Sequence, residues 1–221
     1  MNTKSTAAEW LILTPYLLVF TYIALIWQQL PAVIVSHYNL TGQPDGWMPK
    51  EKALLMLIGL GLFIYLLLRF LPKLDFSGTV QPAVFQRMRF VMSLLMTVAI
   101  GSLFCMATQS GELHSSQGAM LALISLGIAA VGNYMSVIKP NWFIGIRTPW
   151  TLQNNRVWTR THRLGGRLMV VGGLLGASLA VLVPAPYTIG SVVAVLLIVT
   201  LVPVIYSYVY FQQENVNQLT R

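Results

Sequence analysis

Six long runs of apolar residues decide what this chain can fold into. They cover Trp10–Leu30, Ala53–Leu71, Phe90–Thr108, Gly118–Ile138, Leu164–Val183 and Tyr187–Phe211. Each is close to the roughly 20 residues that a helix needs to cross a hydrocarbon core about 30 Å thick. They are apolar on every side, without the single stripe by which a soluble helix faces its core. Their interiors hold no Asp, Glu, Lys, Arg or His; Arg69 and Arg167 come near run ends, where a long side chain can snorkel to the interface. Only 9% of residues are charged, against about 25% in a soluble domain. Glu9 abuts the first run, which is longer than the apolar stretch of a cleavable signal, so it reads as a span that is kept.

The charges orient the spans. With an even number of crossings, the N-terminus, the second and fourth connections and the C-terminal tail share a side. Those segments hold 12 of the 14 Lys and Arg, and only Lys50 and Lys52 lie opposite. Positive residues collect in cytoplasmic loops, so both termini are expected in the cytoplasm. The net charge of +8 thereby finds an explanation in orientation, and direct contact with nucleic acid is not expected. The expected fold is all-α: one polytopic membrane domain over residues 1–221, with an external connection over 31–52 and a cytoplasmic one over 139–167. Trp10, Trp27, Tyr187 and Tyr210 near span ends fit an interfacial aromatic belt.

The chemistry of enzymes and pumps is sparse. Intramembrane ionisable groups usually mark proton or ion pathways, and none lies inside a span. There is no HExxH, nucleophile elbow, P-loop or dinucleotide fingerprint. His37, His114 and His162 fall on two sides of the membrane and cannot share a metal. No metal, cofactor or catalytic group is therefore expected. The single cysteine, Cys105, reads as a small buried hydrophobe. Asn133 lies within the fourth span and serves either an interhelical hydrogen bond or the lining of a pathway. Gly172, Gly176 and Ala180 make a small-residue face, suited to close packing within the chain or to a homodimer, and the oligomeric state stays open.

Two connections carry the remaining signal. The external one contains Pro44-Asp45-Gly46, a tight-turn sequence, followed by Trp47 and Lys50; Asp45, Trp47 and Lys50 are candidates for meeting an external ligand. In the cytoplasmic one Pro149 limits helix before it and Thr151 is a candidate N-cap. A helix from about Leu152 places Arg156, Arg160, Arg163 and Arg167 within ~60° of its circumference, with Trp158 and His162 on the opposite side. Gly165-Gly166 offers a bend, which would make this a short cytoplasmic interfacial helix before the fifth span. The arginine stripe would touch anionic lipid phosphates or an acidic cytosolic partner. Arg147 is expected to bond backbone carbonyls or a carboxylate, Asp75 being the nearest acidic residue by topology. A purely electrostatic anchor does not need Trp142, Gly145, Pro149 and Trp150 in that order.

Asn39, Gly42, Pro44-Asp45-Gly46-Trp47 and Lys50 outside, with Asn133-Tyr134-Met135, Lys139-Pro140-Asn141-Trp142-Phe143, Gly145-Ile146-Arg147-Thr148-Pro149-Trp150-Thr151-Leu152, Val157-Trp158 and Thr161-His162 inside, resemble the SdpI family. These are bacterial membrane proteins that give immunity to a secreted cannibalism toxin, and the resemblance runs from the first span into the fifth. It implies a non-enzymatic immunity and signalling protein of the bacterial cytoplasmic membrane. Its partners would be the lipid bilayer, a secreted peptide toxin on the external face and a cytosolic transcriptional repressor held at the membrane. The output side would be Asn141, Trp142, Arg147, Thr148, Trp150, Trp158 and His162. Two rivals stand beside it. One is a transporter or lipid-headgroup-handling protein, with Arg147, Arg156 and His162 around a phosphate and a polar cleft from Arg147 toward Asn133. The other is an intramembrane enzyme pairing His162 with Glu214 or Asp75.

Overall fold

Backbone N–H and C=O groups in lipid must be satisfied within the segment that carries them, so apolar runs of this length become helices. The structure, a computed structural model, describes residues 3–39, 41, 43–71, 82–108, 113–141 and 144–219. The helices are α1 (Thr3–Ile26), α2 (Lys50–Phe70), α3 (Pro82–Thr108), α4 (Leu113–Met135), α5 (Pro149–Gln153), α6 (Asn155–Leu182) and α7 (Ala185–Leu219). Among the described residues six helices, all but α5, are long and apolar enough to cross a membrane. The chain is a multi-pass membrane protein of six transmembrane helices, as its composition demands. Their directions alternate. One end of the bundle carries the arginine-rich start of α6 and the segment leading into it, and the other carries the connection between α1 and α2.

The connection between α1 and α2 is not a bare loop. A short 3-10 turn, Trp27–Gln29, leads into an antiparallel hairpin of β1 (Val33–Tyr38) and β2 (Pro44–Pro49). Val35 pairs with Trp47 and Ile34 with Met48, and the register is irregular between Val35 and Tyr38. The turn is held by Asn39, whose Oδ1 accepts from the N–H groups of Thr41 and Gln43 at 3.0 and 2.9 Å and from the Thr41 hydroxyl at 2.8 Å. Buried Ile34 joins Val19 and Ile23 of α1, Ala53 of α2, and Ile100 and Phe104 of α3 in one apolar cluster. The hairpin is thus part of the packing at its end of the bundle.

The tightest packing is between α4 and α6 and depends on absent side chains. A Cβ on Gly166 would stand 2.8 Å from the Gly132 carbonyl oxygen, and one on Gly173 would stand 2.5 Å from that of Ser125. Gly172 meets Val199 of α7, and Gly176 meets Ser125 of α4. The small-residue face is consumed inside the chain, which decides for monomer packing at these positions. Only Val183 and Pro184 separate α6 from α7.

The segment before the fifth span differs from expectation. Thr148, not Thr151, caps α5, with Pro149 at its first position, and Asn154 caps α6 by accepting from the N–H groups of Arg156 and Val157. Helix α6 then runs unbroken through Gly165-Gly166 to Leu182. Both glycines are buried against neighbouring helices, so their small size serves close approach and no bend separates an interfacial helix from the span.

Candidate functional site

The connection from α4 to α6 is built as a small platform on the arginine-rich end. Asn141 is buried and organises its first turn. Its amide donates to the carbonyls of Lys139 and Ile144 at 2.8 and 3.2 Å, and its Oδ1 accepts from Ile144 N–H at 2.8 Å. Gly145 follows with φ +119°, backbone that favours glycine, and a Cβ there would collide with the His162 imidazole. Ile146 N–H then donates to Nε2 of His162 at 3.0 Å. The other ring nitrogen lies 2.8 Å from the Trp158 carbonyl. One nitrogen must accept and the other donate, so the bonds select the neutral ring with its proton on Nδ1.

Trp158 and His162 face away from the arginines, as their spacing requires, and form the inner wall. Their rings stack with centroids 3.9 Å apart, and the Trp158 indole donates to the Ile138 carbonyl at 2.9 Å. Thr151 is buried and ties α5 down: its hydroxyl lies 2.8 Å from the Ile146 carbonyl, and Thr148 N–H donates to it at 2.9 Å. Trp150 reaches α7, where its indole donates to the buried Ser207 hydroxyl at 2.6 Å and its ring meets Tyr208 edge-on at 5.1 Å. The structure therefore brings Asn141, Thr148, Trp150, Trp158 and His162 into one assembly. Arg147 is exposed beside it. Trp142 and Asp75 lie outside the described residues.

The arginine stripe divides by what it meets. Arg156 donates to Glu214 of α7 at 2.8 Å, Glu214 also accepts from the Tyr210 hydroxyl at 3.2 Å, and the Arg160 guanidinium lies over the Tyr210 ring at 4.9 Å. Arg163 and Arg167 instead border an open groove of about 470 Å³ between α4 and α6, lined also by Asn133, Ser136, Val170 and Val171 over a floor of Gly132 and Gly166. Asn133 is exposed, lines this groove and makes no side-chain hydrogen bond with a described residue. The cleft awaited between Arg147 and Asn133 is thus set around Arg163 and Arg167. Of the groups named in the rival readings, His162 bonds backbone through both ring nitrogens and Arg156 pairs with Glu214.

At the hairpin end, Trp47 is 60% exposed. Asp45 is exposed as well and pairs with His37 Nδ1 at 2.5 Å. Lys50 turns inward: its ammonium donates to the carbonyls of Trp27 and Leu30 at 3.0 and 3.1 Å and lies over the Trp27 ring. It fastens the end of α1 to the start of α2.

One cluster escaped the sequence reading. Glu9 accepts a two-pronged bond from Arg89 at 2.7 and 2.9 Å, a bond from Tyr65 at 3.0 Å and an ion pair from Arg69 at 2.5 Å. It joins α1, α2 and α3, and Arg89 is only 6% exposed. The partners lie far apart in sequence, and nothing local announces them.

The comparisons fall on these elements. A model of the SdpI/YfhL protein family matches residues 137–207. Ile138 and Ser207, which receive the indole bonds of Trp158 and Trp150, stand almost at its two limits. A domain of unknown function, DUF1648, matches residues 16–62, from α1 through the hairpin into α2. Immunity protein SdpI of Bacillus subtilis (strain 168) is 31% identical over 97 residues, 42% of this chain and a little under half, 46%, of that relative. No solved structure matches. The platform and the helices that hold it thus lie in the stretch that is similar to the SdpI/YfhL protein family, and the chain spans a little under half the length of the immunity protein it matches.

Proposed function

We propose that the chain is a non-enzymatic immunity protein of a bacterial cytoplasmic membrane, with both termini in the cytoplasm. It protects its cell from a secreted antimicrobial peptide met at the hairpin end, and it signals that encounter by holding a transcriptional repressor at the arginine-rich end. The observation that carries this reading is the platform over 141–162, built within the family-matching stretch and locked by His162. Both nitrogens of that histidine are engaged in holding backbone, a use suited to presenting a surface and unsuited to proton transfer. Exposed Trp47 and Asp45 on the hairpin supply an aromatic and an anionic contact for a peptide. Arg147, Thr148 and Trp150 would form the edge offered to the repressor.

The test is expression in Bacillus subtilis lacking its immunity protein SdpI, with growth measured while neighbouring cells secrete the toxin. The chain should restore growth, and Arg147→Ala should abolish protection or signalling while the protein stays in the membrane fraction. No protection by the unaltered chain at normal membrane levels would overturn the reading for this toxin. Full activity of Arg147→Ala would reduce the platform edge to scaffolding.

A further inference from the structure

The groove beside α6 stands apart from the platform and from the immunity reading. Arg163 and Arg167 are one helical turn apart on its rim, and both are exposed. Neither guanidinium forms an ion pair or side-chain hydrogen bond with a described residue, whereas Arg156 in the same stripe is held by Glu214. Asn133 and Ser136 line the groove from α4 and the turn after it, and their polar groups have no hydrogen-bond partner among the described residues. Two cations and two neutral hydrogen-bonding groups thus converge on one open space, and no carboxylate of a described residue lines it.

Polarity is graded along the groove. From Arg163 to Val171 helix α6 advances about 12 Å, from the arginine-rich end toward the middle of the bundle. Val170 and Val171 make the deeper wall, and Val171 is 65% exposed on the lipid-facing surface. A guanidinium suits a phosphate because its planar fork donates two parallel bonds. A soluble phosphate has no use for the apolar wall beyond. A phospholipid does, since its phosphate sits at the depth of the arginines and its acyl chain continues past the valines.

We infer that the groove framed by Arg163, Arg167, Asn133 and Ser136 binds the phosphate of an anionic glycerophospholipid, with an acyl chain laid along Val170 and Val171. The arginines hold the phosphodiester, Asn133 and Ser136 bond headgroup or ester oxygens, and the close Gly132–Gly166 contact closes the floor.

The experiment is native mass spectrometry of the purified full chain, offered equal amounts of phosphatidylglycerol and phosphatidylcholine with the same acyl chains. Phosphatidylglycerol should be retained preferentially. Arg163→Gln with Arg167→Gln should lower its retention about thirtyfold, from about 1 kcal/mol for each basic group at an anionic surface. Removing equal charge elsewhere, with Lys52→Gln and Arg87→Gln, should leave retention unchanged. An equal fall in that control would show general attraction and overturn the site. Displacement of the lipid by excess inorganic phosphate would assign the groove to a soluble anion and overturn the lipid. Should the double variant fail to fold, each single Gln variant decides, with about a fivefold fall expected and no change overturning the proposal.

Discussion

The imidazole of His162 occupies the space in which a side chain on residue 145 would begin, and one residue later Ile146 donates its N–H to the same ring at 3.0 Å. Glycine is required there twice, for the positive φ and for the ring. Gly145→Ala should therefore break the platform while leaving the six spans intact. The backbone strain alone costs about 1–3 kcal/mol. Limited proteolysis should cut the variant between residues 139 and 154 much faster than the wild type. Equal cleavage rates would mean that the ring and the loop are not locked together.

His162→Ala probes the same lock from the other side. It removes the acceptor for Ile146 N–H and the face on which Trp158 stacks. A part-buried donor left unpaired costs about 1–3 kcal/mol, and the cavity adds to that. His162→Asn should recover part of the loss if its amide oxygen reaches Ile146 N–H. The order expected for thermal stability in detergent is wild type, then Asn, then Ala; an Ala variant as stable as the wild type would contradict the lock.

Much of this could be read ahead because each signal was local. Six uncharged runs meet one physical demand, satisfied backbone in lipid, and the small residues at 172, 176 and 180 find neighbours at the expected close range. The stripe and its opposite face follow from helical periodicity, which is why Trp158 and His162 lie across from the arginines. The strands were hidden because Val33-Ile34-Val35 follows directly on an apolar run and reads as its tail. A Thr-Pro pair at 148–149 and Asn154 were visible cap signals, and weighing them above Thr151 would have placed both helix starts. The partners of Glu9 and of Arg156 were beyond reach, since they depend on which helices become neighbours.

Trp150 and Ser207 should behave as a coupled pair. The indole bond of 2.6 Å spans from α5 to a fully buried hydroxyl on α7. Trp150→Phe keeps most of the ring and Ser207→Ala most of the packing, so a double-mutant cycle isolates the bond. Its coupling energy should be about 0.5–1.5 kcal/mol, the net worth of such a bond. Additive effects within error would show that Trp150 docks through Tyr208 and apolar contact alone.

The charge asymmetry of 12 basic residues against two predicts sidedness. With Cys105→Ala as background, Thr41→Cys at the hairpin turn should react with a membrane-impermeant maleimide in intact cells. Gln153→Cys at the end of α5 should react only after the membrane is opened. The reverse pattern would invert the whole bundle, and with it the assignment of the hairpin to a secreted peptide.

Glu9 is the last test, because among the described residues it alone forms ion pairs with two arginines. Its side chain is 18% exposed, that of Arg89 is 6% exposed, and that of Arg69 is 41% exposed. Glu9→Gln keeps the shape but removes the charge, leaving a buried guanidinium without its counter-ion. Breaking a buried pair by removing one partner costs about 3–5 kcal/mol. Arg69→Gln removes a well-solvated partner and should cost about 1 kcal/mol or less. Arg89→Gln should fall between, since Arg69 and Tyr65 still bond the carboxylate it leaves behind. Thermal unfolding in detergent should show the largest loss for Glu9→Gln, then Arg89→Gln, then Arg69→Gln, and adding Arg89→Gln to Glu9→Gln should restore part of the loss by removing the unpaired charge. If Glu9→Gln proves no worse than Arg69→Gln, the cluster is a surface contact between helix ends and does not hold α1, α2 and α3 together.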